Sequence, residues 1–172
     1  MSHVLVAGIG NIFFSDDGFG PAVAQALLAD PPPGARVQDY GTRSVHLAYD
    51  LVGGPPHVLL VDAVDLDDEP GTIVLMAPQD APTTGPIDGH GLPIEATLAR
   101  ARLLGATLDD VVLLGCVPAT TGPGMALSDR VAAAVPVAVE HIRAMVGQRM
   151  SGAVWSTSSA TGGTITGPPP AD

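Results

Sequence analysis

The sequence predicts an α/β fold, a three-layer sandwich in which a mixed, mostly parallel, five-stranded twisted sheet carries helices on both faces. Three observations predict it. The segments 3–9, 57–63 and 111–117 are short, nearly continuous apolar runs of strand length, as expected of strands buried on both sides. They alternate with stretches of helical spacing, the pattern of a sheet wound through crossover helices. A length of 172 residues corresponds to one ordinary domain.

The elements follow in order. The strand at 3–9 runs into GNIFFSDDGFG, and a helix at 21–29 begins with Pro21, a residue suited to a first helical turn. Pro31, Pro32, Pro33 and Gly34 end it. Residues 35–39 form a second strand, and 45–52 a helix stopped by Gly53, Gly54, Pro55 and Pro56. The third strand spans 57–63. A fourth, 72–76, comes too soon for a crossover helix and is expected antiparallel to the third. Residues 78–91 lack periodicity and read as a surface loop long enough to be functional. A helix at 93–104, a fifth strand at 111–117 and a last helix at 128–146 complete the set. Ser128 is a candidate cap for that helix, which Pro136 should kink or truly begin. The folded domain is expected over 1–148, followed by a disordered tail over 149–172 rich in Ser, Thr, Gly and Pro.

Composition excludes several classes. The formal net charge is −11 and all seven basic residues are Arg, which argues against broad contact with nucleic acid. No apolar run approaches the roughly 18 residues of a membrane span, and the N-terminus lacks the pattern of a signal peptide. A cytoplasmic protein without membrane partners is expected. Cys116, inside an apolar strand, reads as a core residue and not a nucleophile. His3, His46, His57 and His141 read as ordinary surface histidines.

Ligands of open α/β sheets bind beyond the carboxyl ends of the strands, where connections leave toward opposite faces. At that edge the sequence places Asn11, Asp16 and Asp17 after strand one, Asp39 after strand two, Asp62 and Asp65 after strand three, and residues 118–124 after strand five. His90, on the long loop, is able to fold over the same edge. Two carboxylates and an imidazole suit a divalent first-row metal such as nickel or zinc, with positions left for water or substrate. Without a metal, two close carboxylates can run acid–base hydrolysis. Asp16 and Asp17 also precede a helix and so serve equally as caps. Phe13 and Phe14 are either anchors into the core or, if exposed, a partner surface. The glycines do not make a dinucleotide fingerprint, since Phe13 occupies the third glycine position and acids follow it. There is no lysine for a P-loop and no G-x-S-x-G elbow.

GIGNIFFSDDGFG, LLVDAVD, DGHGLP and LGCVPA, in that order over residues 3–147, resemble the hydrogenase maturation proteases, the endopeptidases that process the large subunit of nickel-iron hydrogenases. The resemblance implies a single α/β domain that removes a C-terminal extension from the large-subunit precursor after nickel insertion. It places metal-binding and catalytic roles on Asp17, Asp62 and His90, with nickel supplied by the substrate and zinc an alternative. Some members carry Glu where this chain has Asp17. Asn11 and Asp16 take loop-shaping or supporting roles. A metal-independent protease using Asp17 and Asp62 as a dyad, and a non-catalytic nickel-binding module docking on the precursor, are the alternatives.

Overall fold

The computed structural model describes residues 4–80, 94–155 and 163–165. Strands β1 (Val4–Ile9), β2 (Ala35–Gly41), β3 (His57–Ala63), β4 (Ile73–Met76), β5 (Val111–Cys116) and β6 (Gly163–Ile165) form one sheet of order β2-β1-β3-β5-β4-β6. The first three and β5 are parallel, and β4 runs antiparallel to both its neighbours. The five expected strands are all present. The fourth has the expected direction, but its neighbour is β5 and not β3. The short turn after β3 reverses the chain, while the position beside β3 is taken by β5, which a full helical crossover delivers in parallel.

Alternation along the strands divides the core. Val4, Val6, Leu59, Val61, Val112 and Leu114 face helices α1 (Phe19–Leu28) and α4 (Asp129–Met150). Leu5, Ala7, Val58, Leu60 and Leu113 face α2 (Ser44–Leu51) and α3 (Ile94–Leu103). Both faces are therefore covered, which is why the strand sequences are apolar at successive positions. The helix α4 starts at Asp129 and runs through Pro136, so the proline is not its beginning.

The tail departs from its sequence expectation where it is described. The helix α4 extends to Met150, and Trp155 is buried, its indole Nε1 donating to the Met145 carbonyl at 2.9 Å. Arg149 lies over the same ring, and β6 adds a sixth strand to the edge of β4. The single tryptophan supplies apolar area that a Ser/Thr/Gly-rich composition hides from a compositional reading. Two histidines also differ from expectation. His141 is buried, and His57 is half-buried with its Nδ1 2.5 Å from Asp110 Oδ2, the oxygen to which Arg149 Nε also donates. This cluster lies at the start of β3 and β5, the end of the sheet opposite the strand termini discussed next.

The helix α1 enters directly over the ends of β1 and β3, and glycine makes that possible. A Cβ on Gly20 would sit 2.1 Å from the Ile9 carbonyl oxygen and 2.3 Å from that of Val61, and one on Gly8 2.5 Å from the Gly20 oxygen. Backbone atoms cannot yield to such contacts as a flexible side chain can. Gly20→Ala is expected to cost at least about 1–3 kcal/mol, a fall of roughly 2–12 °C in Tm for a domain of this size, read by thermal unfolding. An unchanged Tm would contradict this packing.

Candidate functional site

The chain runs from β1 to β2 on one side and from the neighbouring β3 to β4 on the other, so the carboxyl ends of β1 and β3 border a topological switch point. After β1 the chain turns at Gly10, whose φ of 140° and position against the Asp17 carbonyl exclude a side chain. Asn11 then organises the loop from both ends. Its Oδ1 accepts the Phe13 N–H at 3.0 Å, and its own N–H donates to Asp17 Oδ2 at 2.8 Å. Asp17 is thereby aimed from a short 3-10 turn, Ser15–Gly18, toward the end of β3.

Asp62 stands at that end, half-buried, its Oδ1 accepting the Ala63 N–H at 2.8 Å. Its burial, and then the charge of Asp17, push its carboxyl well above the ordinary carboxylate range, against the weaker opposing effect of the Ala63 N–H. The two acids therefore form one electrostatically coupled pair. Beside them opens a cleft of about 390 Å³ lined by Asp17, Ala63, Asp65, Ala119, Thr120 and Thr121 among others. Asp39 is held elsewhere, accepting from Gln25 Nε2 at 3.1 Å. His90, the third expected ligand, lies outside the described residues, and among the described residues no group of three His, Cys, Asp or Glu side chains is placed to hold a metal.

Asp16, adjacent in sequence, has a different task. It is fully buried, and its carboxylate accepts from the Ala119 N–H at 2.8 Å, the Thr120 N–H at 3.1 Å, the Ser128 N–H at 2.7 Å and the Ser128 hydroxyl at 2.8 Å. Burial alone would raise its pKa, but the bonds from Ser128, Thr120 and Ala119 outweigh it and hold the carboxyl below its ordinary value. Asp16 thus fixes the cleft wall at 119–120 and caps the start of α4 across more than a hundred residues of sequence. Ser128 is the residue before α4, as its capping signal predicts, yet it makes no side-chain cap of its own. The sequence reading assigned Asp16 a local loop role. Three of its four distant donors are backbone N–H groups, which carry no residue-type signal.

Cys116 is buried in β5, and burial, then the charge of Asp16, push its thiol up to about 12. This is the inert core cysteine expected, since the thiolate is the nucleophilic form.

Opposite outcomes are expected from the two acids. Asp16→Asn leaves buried donors facing an amide and should cost about 2 kcal/mol or more. In the wild type, Asp16 contributes stability that is full above its unfolded pKa and is lost as pH falls through its lower folded one, so the variant should lose less on acidification. Asp62→Asn should keep or raise Tm at neutral pH. The raised folded pKa of Asp62 means that the native state holds its proton longer, so this group's contribution declines as pH rises above the unfolded value. Thermal unfolding across pH checks both; a large loss of stability in Asp62→Asn would contradict the assignment.

Comparison with known proteins identifies the family. The family model described as hydrogenase maturation protease matches residues 21–145. The chain is 31% identical to the coenzyme F420 hydrogenase subunit delta of Methanothermobacter thermautotrophicus, covering 85% of this chain and 96% of the relative. It is 28% identical to the hydrogenase 2 maturation protease of Escherichia coli, covering 83% and 89%. Among solved structures, the hydrogenase maturating endopeptidase HybD from E. coli superposes with a TM-score of 0.72 at 28% identity, over 88% of this chain and 94% of that one. With the family model, the relatives and the fold in agreement, the chain belongs to the hydrogenase maturation protease family, hydrolases that act on peptide bonds.

Proposed function

We propose that this chain is the endopeptidase that removes the C-terminal extension of a nickel-iron hydrogenase large-subunit precursor after nickel insertion, with the nickel in the precursor as the recognition element. The coupling of Asp62, at the end of β3, to Asp17, which lines the adjoining cleft, carries the reading. Two carboxylates held near each other repel, and a divalent cation between them turns that repulsion into attraction. The donor set fits a borderline cation that arrives with the substrate, with His90 as the third ligand. Nickel so held would polarise a nearby carbonyl.

The chain's own residues supply the proton transfers. A carboxyl whose pKa is raised is a stronger base than an ordinary aspartate. Asp62 takes a proton from the attacking water as the water oxygen bonds to the scissile carbonyl carbon. It then delivers that proton to the amine nitrogen as the carbon–nitrogen bond breaks. Asp17, fixed by the Asn11 N–H, would hold the substrate's cation, and burial of Asp62 favours its taking up a proton. Cleavage would be restricted to a loaded precursor because the cation it carries would be drawn to the paired acids and so align the scissile bond with Asp62.

Mass spectrometry of purified large-subunit precursor, nickel-loaded or nickel-free, tests the reading. The loaded form should lose a C-terminal peptide, the nickel-free form should stay intact, and Asp62→Asn should cleave neither. The acid limb of kcat/KM should lie above the ~3.9 of an ordinary aspartate, because the deprotonated form of Asp62 is required and its pKa is raised. Processing by Asp62→Asn at the wild-type rate would overturn the proposal. Equal cleavage of both precursors, with no effect of His90→Ala, would leave a metal-independent Asp17–Asp62 dyad.

A further inference from the structure

Next to the acidic cleft the molecule exposes an apolar rim. Ile12, Phe13 and Met125 have 47%, 58% and 71% of their surface in water. They stand on two loops that are locked to each other. Phe14 and Gly124 form a parallel bridge, the Gly124 N–H donates to the Phe13 carbonyl at 2.9 Å, and Ser15 donates through its N–H to Gly124 and through its hydroxyl to Gly122. Ser15 is held at a φ of 53°, a left-handed conformation that a non-glycine residue keeps only where its surroundings impose it. The rim is therefore preformed.

The same two loops build the cleft. The first aims Asp17 through Asn11, and the second supplies Ala119, Thr120 and Thr121. In a chain of net charge −11, residues 8–15 and 118–127 contain no charged side chain. The uncharged segments that carry the apolar rim thus belong to the same two loops as Asp17 and the 119–121 wall of the acidic cleft. That pairing fits a polypeptide presenting a cation to the cleft and apolar side chains beside it, and does not fit an acidic or polyanionic partner.

We propose that Ile12, Phe13 and Met125 form the docking surface for apolar side chains of the large-subunit precursor next to its scissile bond, an inference that rests on the function proposed above. Preformed loops lose little freedom on binding, so a few apolar contacts suffice to set affinity.

Affinity for nickel-loaded precursor, measured by calorimetry and compared among rim variants that all carry Asp62→Asn, so that substrate persists and any lost cation contact is common to them, tests the rim. Adding Phe13→Ser and Met125→Ser should weaken binding about tenfold or more, while Phe13→Leu should retain it. Tyr49→Ser, which removes an equally exposed aromatic from α2, should have no effect. Thermal unfolding establishes that each variant is folded. Unchanged affinity in the folded double variant overturns the rim but leaves the proposed function standing, provided wild type still cleaves. Loss in Phe13→Leu as large as in Phe13→Ser contradicts apolar docking. A change in oligomeric state without a change in precursor affinity would assign the rim to self-association instead. Absence of both binding and cleavage in the wild type overturns rim and function together.

Discussion

The buried carboxylate of Asp16 is the interaction on which the rest of the site depends. An ionised group without solvent contact is tolerable only where hydrogen bonds replace its water, and four donors from Ala119, Thr120 and Ser128 do so. All four come from the far end of the chain, so satisfying this one group joins the loop after β1 to the loop after β5. Their union creates a cleft with two walls, sets the start of α4, and places the Ile12–Phe13 segment beside Met125. Without it the acids at the strand ends would sit on two unrelated loops.

Two acids within one sheet edge are thereby driven to opposite states. Asp16 is stabilised as an anion by oriented N–H and O–H groups. Asp62 receives one backbone N–H, is desolvated, and faces the charge of Asp17, so its anion is disfavoured. The contrast follows from environment alone, since Asp16 and Asp62 are the same residue type. It also separates stability from activity. The favourable electrostatics are spent on shaping the loop, and the unfavourable electrostatics are kept where a basic carboxyl and a cation-seeking pair are useful.

Much of this was legible in the sequence because its causes are local. Continuous apolar runs marked the sheet core, prolines and glycines marked its punctuation, and an aspartate closing HVLLV had no structural duty to explain it. Other features were not legible because their causes are remote. The place of β4 beside β5 depends on which strand occupies the slot next to β3. The burial of Trp155 and the pairing of β6 depend on a groove and an edge offered by distant elements. The capping of α4 by Asp16 depends on backbone groups that every residue carries. His90, identified through a motif, lies outside the described residues.

The central claim is that Asp17 and Asp62 act as one coupled pair, and its most direct measurement is an NMR titration of the Asp62 carboxyl in the wild type and in Asp17→Asn. The account predicts that Asp62 titrates well above ~3.9, the ordinary aspartate value, and that removing the charge of Asp17 moves it back toward that value, with burial holding the remainder of the shift. An Asp62 that titrates as an ordinary carboxylate, or whose titration is indifferent to Asp17, would contradict it.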